Sequence, residues 1–499
     1  GELLLGGRSG PLLRTLRAIP DDVADPAACL VRAAIALTDG DVQRLEEQLA
    51  RIPPEHDGTT HGVAVLLAVA VLRAVVARRT ADPAAAIALA EDAERALSEF
   101  DPPEGMVTDP ALWAMVALSK GIATARQGRL PTATELLMAG ARAARDAHTQ
   151  SLLVECLGHL AVLAAFGGAL SRADSLATQA VTAASAGGAN ADSLHEAHAA
   201  LTWVNSERWD LRAAMTHARL AERSRVLPHD PVPRTLLTLA TSRIQATNGD
   251  VGGALSRLEG ATEHLSDAEG WLSDELRVEA GHLRVEQGEP AVALLEVEGI
   301  RDSAGVSLVV AQAQLAQGHD HAAAGALERV LVKGAPLATQ VGGWLVEVSR
   351  QLRVGAPQRA RSALDHSLRL ASRESIRRPF REAPAAVRRL LAQDAQLNRE
   401  HPWLDETPGP SRRPPRPTVP RQRAAEETLA VPVIESLTKK ELEVLGHLAE
   451  LLTTEEIASD MFVSVNTIRT HVRSILRKLG VSRRNAAVRR ARELRLLPS

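Results

Sequence analysis

The chain has 499 residues, 45% hydrophobic and 24% charged, so it is too long for one compact domain and rich enough in apolar residues for most of it to build a core. Aromatic residues are only 2%, with no Tyr, so apolar area must come from Ala, Leu and Val, which favours closely packed helices over a β-sandwich. A net charge of −3, two distant cysteines without metal-ligand spacing, and a longest apolar run of Gly62 to Leu72 exclude a disulfide scaffold and a bilayer span, which needs about 20 residues.

The chain begins Gly1-Glu2-Leu3, with no basic region ahead of an apolar run, so no signal peptide is visible and a reducing cytoplasm is the expected setting. The absence of an initial Met points to a missing upstream part.

The first ~400 residues repeat themselves. Stretches with apolar residues at i, i+3, i+4 and i+7 are broken at Gly40, Thr80, Gly128, Gly168, Trp209, Gly249, Gly288, Gly318 and Gly355, each break preceding an Ala-rich helix. The spacings are 40, 48, 40, 41, 40, 39, 30 and 37 residues. A period near 40 with two helices per unit predicts a tetratricopeptide-like helical-repeat solenoid over residues 1–400. One helix pair cannot bury its apolar face alone, so pairs stack; small residues allow close approach, and Gly at the break can take a left-handed C-cap. Such an array mainly offers an extended concave surface.

Residues 401–432 form a linker: Asp405 to Pro432 holds seven prolines and five arginines without apolar periodicity until its last residues. Residues 433–499 then read as four short helices. The first begins at Thr438, which with Glu441 makes a capping box, and presents Leu442, Leu445 and Leu448 or Ala449. The second, with Thr453 and Glu456 as its capping box, ends near Met461. The third begins at Ser464 as N-cap and runs to Leu479, with Ile468, Val472, Ile475 and Leu479 on one face; Gly480 caps it. The fourth covers roughly 484–494.

From Ser464 to the end there are ten Lys/Arg against one acid, Glu493, a local charge of +9 on a body of −12. A basic end on an acidic body is a footprint for a polyanion, or simply a solvated basic helix. A short helix, a tight turn and a longer helix match a helix-turn-helix, whose second helix enters the major groove. Arg469 and Arg473 stand four residues apart, so one guanidinium can pair with a guanine edge while the other reaches a nearby base or phosphate.

These residues resemble the LuxR-type helix-turn-helix domain of bacterial transcription regulators. The resemblance runs over about 60 residues and includes Leu437, Thr438, Glu441, Val444, Leu445, Ile457, Ala458, Ser464, Thr467, Ile468, His471, Val472, Lys478, Leu479, Gly480 and Val481. It implies that Arg469, Thr470 and Arg473 face the groove, within a DNA-binding set of Ser464, Val465, Asn466, Thr467, Arg469, Thr470, His471, Arg473 and Arg477. It also implies dimer contact through the fourth helix at Val488, Ala491 and Leu494. Leu451, Thr454 and Ala486 depart from the residues usual in the family, Gly, Asn and Gln. Repeats followed by this domain also resemble the large ATP-binding LuxR regulators related to the maltose-regulon activator, with Phe380 near the end of the solenoid. The GxxxxGK phosphate loop does not occur in the chain, and even the dipeptide Gly-Lys is absent.

The fold expectation is therefore all-α: a helical-repeat solenoid, then a four-helix LuxR-type domain. The functional expectation is a non-enzymatic DNA-binding regulator in the cytoplasm, without cofactor or metal. Its partners are double-stranded DNA, RNA polymerase, an effector (small molecule or protein) at the solenoid, and a second copy of the chain, with no membrane. Two other readings stand beside it: an interaction adaptor whose helix-turn-helix does not act alone, and a fragment of a larger ATP-dependent regulator. His195-Glu196-Ala197-His198 lacks the i, i+4 histidine spacing of a zinc protease and reads as a solvated helix face; His319-Asp320-His321 reads as a repeat turn. Trp113, Trp203, Trp209, Trp271 and Trp344 read as core or inter-repeat packing.

Overall fold

The computed structural model describes residues 25–39, 41–53, 60–80, 82–100, 109–187, 194–223, 230–332, 334–405, 439–449, 457, 461, 465–478 and 491. Among these the regular structure is helical, without a strand. The chain divides into two units, Gly1–Pro417 and Thr418–Ser499.

The first unit is a succession of helical hairpins. Among the described residues nine pairs follow one another: α1 (Pro26–Asp39) with α2 (Val42–Ala50), α3 (Thr60–Thr80) with α4 (Pro83–Glu99), α5 (Pro110–Arg126) with α6 (Leu130–Asp146), α7 (Gln150–Phe166) with α8 (Leu170–Gly187), α9 (His195–Glu207) with α10 (Leu211–Arg223), α11 (Pro231–Thr247) with α12 (Val251–Thr262), α13 (Gly270–Glu286) with α14 (Pro290–Glu296), α15 (Ala304–Ala316) with α16 (Asp320–Val330), and α17 (Leu337–Arg353) with α18 (Pro357–Ser372). Three short helices, α19 (Arg378–Glu382), α20 (Ala385–Gln393) and α21 (Ala395–Glu400), and a 3₁₀ turn at Pro402–Leu404 close the described part of the unit, five residues beyond the boundary read at residue 400.

The sequence breaks fall inside the hairpins. Gly128, Gly168, Gly249, Gly288, Gly318 and Gly355 all take φ between 73° and 91°. At the first of them the Gly128 N–H bonds the Ala125 carbonyl and the Arg129 N–H bonds the Thr124 carbonyl, a Schellman motif that satisfies carbonyls the helix end would leave orphaned. The same pair of bonds recurs at Gly168, Gly249, Gly288, Gly318 and Gly355, and also at Trp209, a non-glycine held at φ 64°. Five residues after each of these seven breaks stands an alanine with no exposed surface: Ala133, Ala173, Ala214, Ala254, Ala293, Ala323 and Ala360. A methyl group there lets the second helix of the hairpin lie directly on the first.

The two helices of a hairpin differ in burial. The first is covered on several sides by its own partner and by neighbouring hairpins: α9 buries Ala197–Thr202 and Val204–Glu207 almost without interruption. The second buries one stripe, as α12 does with Ala254, Leu255 and Leu258.

Hairpins distant in sequence also touch. Arg126, at the end of α5, pairs with Glu269 ahead of α13 at 2.7 Å, and the Trp271 indole N–H donates to the Arg126 carbonyl at 3.0 Å. The segment from Glu374 onward lies against α8 and α9: the Ser171 N–H donates to the Glu374 carboxylate at 2.6 Å and the Arg377 N–H to the Glu207 carbonyl at 2.9 Å. Phe380 and Leu404 join the same apolar core as Leu160, Val204 and Leu236. The C-terminal segment of the unit thus covers part of α8 and α9. Trp113, Trp203, Trp271 and Trp344 pack partly buried against this core, as read from the sequence.

The second unit is described at α22 (Lys439–Ala449), at Ile457 and Met461, at α23 (Val465–Lys478) and at Ala491. Of the linker read over 401–432, residues 406–432 lie outside the described residues, as do Thr438, Thr453 and Glu456 of the capping boxes, Ser464, Gly480, Leu451, Thr454, Ala486, Val488 and Leu494.

Candidate nucleic-acid interface and polar interior

The core of the second unit consists of Val444, Leu445 and Leu448 from α22, Ile457, Ile468, Val472 and Ile475 from α23, and Ala491, with Met461 and Leu476 half-buried beside it. The three buried positions of α23 recur at i, i+4 and i+7, the spacing read from the sequence, and fix which face of the helix turns inward. Ala491 has no exposed surface and joins this core.

A polar clasp joins the two helices. Glu441 of α22, 4% exposed, accepts a hydrogen bond from the Ser474 hydroxyl at 2.6 Å and one from the Lys478 ammonium at 2.9 Å. Both donors are on α23, four residues apart, one helical turn. The carboxylate thus sets the rotation of α23 about its own axis. Sequence reasoning placed Glu441 in a capping box and among the positions of the resemblance, with no link to α23, which depends on how the helices cross. His471 is half-buried. The helical backbone of α23 carries Val465, Asn466, Thr467, Arg469, Thr470, Arg473 and Arg477, whose side chains lie outside the described set.

α22 and α23 stand at the first and third of the four helices read from the sequence; of the short helix that would precede the turn into α23, only Ile457 and Met461 are among the described residues, Ile457 in the shared core and Met461 half-buried beside it. Residues 435–491 match the family described as bacterial regulatory proteins, luxR family, and a LuxR-type helix-turn-helix domain occupies that stretch. Over 53 residues the chain is 49% identical to the transcriptional regulatory protein LiaR of Bacillus subtilis (strain 168), covering 11% of this chain and 25% of the relative. Over 66 residues it is 46% identical to the uncharacterized transcriptional regulatory protein YxjL of the same organism, covering 13% and 30%. The chain therefore spans between a quarter and a third of the length of these relatives. A solved structure, a Rap protein complexed with competence and sporulation factor, aligns with 70% of this chain and 98% of its own at 12% identity and a TM-score of 0.46. Among the described residues no helix is long and apolar enough to cross a membrane.

The first unit holds two polar clusters that the sequence did not announce. In one, Arg78 of α3 pairs with Glu155 of α7 at 2.6 Å, while His159 lies 3.4 Å from Asp230 and 3.9 Å from Glu196. Burial holds His159 below its ordinary value, against the pull of Asp230, and pushes Asp230 and Glu196 up. Beside it, His198 and His217 face each other with Nδ1 atoms 3.1 Å apart, both buried. Burial, then the charge of His217, depresses His198 to about 3. This overturns the reading of residues 195–198 as a solvated helix face: on a helix covered from several sides, a polar residue is enclosed whatever its sequence neighbours.

In the other cluster, Arg243 of α11 binds Glu279 of α13 through two hydrogen bonds of 2.8 and 2.6 Å and also binds Glu207 of α9. Arg378 of α19 binds the same Glu207 oxygen at 2.8 Å and Glu382 at 2.8 Å. Arg243 stacks over the Trp203 ring, 4.2 Å from its centroid. Burial pushes Glu279 up, but the charge and hydrogen bonds of Arg243, with the charge of Arg378, outweigh it and hold the carboxyl at about 2.

Proposed function

We propose that this chain is a DNA-binding transcription regulator, a binding protein and not a catalyst. Its C-terminal domain reads the major groove through α23, and its repeat unit receives an effector, a small molecule or a protein. The observation that carries the reading is the LuxR-family match over residues 435–491, whose apolar positions are the ones that build the α22–α23 core. With Ile468, Val472 and Ile475 committed to that core, the opposite face of α23 is left for the groove, and Arg469, Thr470 and Arg473 are its readers. The two relatives named as transcriptional regulatory proteins support the regulatory role. RNA polymerase as a partner, action as a homodimer and a cytoplasmic location belong to the same proposal.

Fluorescence anisotropy of the full chain with duplex DNA across a salt series, after selection of sites from a genomic library, tests it. Selected sites should bind about 10³-fold or more tighter than random duplex, and affinity should fall steeply with salt. Arg469→Ala with Arg473→Ala should remove the preference for selected sites. Absence of binding to either kind of DNA at low salt overturns the reading.

A further inference from the structure

α13 carries Glu275, Glu279, His282 and Glu286 at i, i+4, i+7 and i+11, one face of one helix. Glu279 is buried in the ion cluster; Glu275 and Glu286 are exposed at either side of it. Both exposed carboxyls are nevertheless pushed above the ordinary carboxylate value, first by loss of surrounding water and then by neighbouring acids, with Glu279 acting on Glu275 and Glu382 on Glu286. Glu275 stands one turn before Glu279 and Glu286 two turns after it, on the face of α13 that meets Arg243 of α11, so both exposed carboxyls border the cleft between these two helices. With Glu207 and Glu382, five carboxylates there face two guanidiniums, Arg243 and Arg378, an excess of three negative charges. His282, held below its ordinary value by burial, adds no cation at neutral pH. Independently, Glu207 is 1% exposed and spends one oxygen on both arginines, while its second, Oε2, is buried with no hydrogen-bond partner. A buried carboxylate left half-satisfied costs stability that a further cation would recover.

We propose that the effector of the repeat unit is an organic polycation, a linear amine or a short peptide bearing two or more ammonium or guanidinium groups, bound along α13 from Glu275 to Glu286 beside Trp203. The inference rests on the reading that the repeat unit receives an effector. The chain's own arginines show what the cleft accepts: a guanidinium already lies on Trp203, and Arg378 already lies between Glu207 and Glu382. From residue 275 to 286 the helix rises about 16 Å, the reach of a linear polyamine or of about five extended residues. A point-like metal ion fits less well. Among the described residues the group that brings three donor side chains within 4.8 Å of one another is Asp365, Glu400 and His401, elsewhere in the unit.

Isothermal titration calorimetry of the full chain, without DNA, with spermidine, with arginyl-arginine amide and with Mg²⁺ tests the proposal. Saturable one-to-one binding of either amine is expected, weakened at least tenfold, about 1.4 kcal/mol, by Glu275→Gln with Glu286→Gln. The surface pair Glu259→Gln with Glu263→Gln should leave it unchanged. Preference for spermidine marks a free polyamine, and preference for the dipeptide marks a peptide. Because both cleft substitutions are at exposed positions, unchanged circular-dichroism melting should show that the double variant is folded. No saturable heat with either amine, equal affinity in the cleft variant, or displacement of the amine by Mg²⁺ at equal ionic strength overturns the proposal. Failure here leaves DNA binding by residues 435–491 standing, and failure of DNA binding leaves this titration readable.

Discussion

The ammonium of Lys478, on the helix assigned to the major groove, lies 2.9 Å from the carboxylate of Glu441 on the helix beneath it, with side-chain exposures of 13% and 6%. The Ser474 hydroxyl binds the other oxygen of the same carboxylate. A single carboxylate of α22 therefore holds α23 at two points one turn apart.

Glu441→Ala leaves a largely buried ammonium and hydroxyl without this partner and should cost about 2 kcal/mol. Thermal unfolding followed on the C-terminal unit should fall, and selected-site affinity should fall with it. Glu441→Gln keeps an acceptor for Ser474 and should lose less. Equal loss in both variants would remove the positioning role.

The facing imidazoles of His198 and His217 predict acid sensitivity. One Nδ1 must donate and the other accept, so protonation of both rings breaks the bond, and burial opposes even the first proton. The folded value of His198, about 3, lies below its ordinary 6.5, so the unfolded chain takes up protons first as pH falls. Stability is then full above pH 6.5 and declines as pH falls from there toward 3. His217→Gln keeps a donor and removes one ring, and should flatten the fall in melting temperature between pH 7 and 5. An identical slope in the variant would assign the sensitivity to other groups, such as the buried His159.

Two glycines should respond to alanine with opposite signs. At Gly343 of α17 an added Cβ would stand 2.6 Å from Val330 Cγ1, and the stiff β-branched side chain cannot swing away, so Gly343→Ala should destabilise by about 1–3 kcal/mol. At Gly260 of α12 an added Cβ meets nothing within 4 Å, so Gly260→Ala should stabilise by about 0.4–1 kcal/mol. Urea titration of both variants checks the pair.

Glu269→Ala strips Arg126 of its carboxylate partner. Both residues are buried, 4% and 8% exposed, so a loss of about 3–5 kcal/mol is expected in denaturant unfolding of the first unit. A loss below about 1 kcal/mol would mean that this contact between distant hairpins is marginal.

The repeat architecture was legible because its punctuation is local. Six glycines of the predicted series cap helices in the left-handed region, and the hairpin alternation follows from them. Trp209 at the same station shows the limit: the period pointed to it, while its residue type argued against a left-handed cap. The α22–α23 core was legible for the same reason, since Ile468, Val472 and Ile475 declare a face by spacing alone. What stayed hidden required partners far away in sequence. Glu207 meets Arg378 across 171 positions and Arg126 meets Glu269 across 143, and no periodicity of either segment encodes those meetings. His198 was misread because amphipathic reasoning assumes that each helix has a wet side, which the first helix of a hairpin here largely lacks.

The contact between Arg126 and Glu269 joins the third described hairpin to the seventh. Arrays held only by adjacent units can gain or lose one by recombination, because each new junction resembles the old. Here the excision of any single hairpin between α6 and α13 would bring a different unit opposite Arg126 and remove its pairing with Glu269. The number of units in this stretch is thus a counted length, kept by the clasp and closed to the copy-number drift through which repeat families ordinarily diversify.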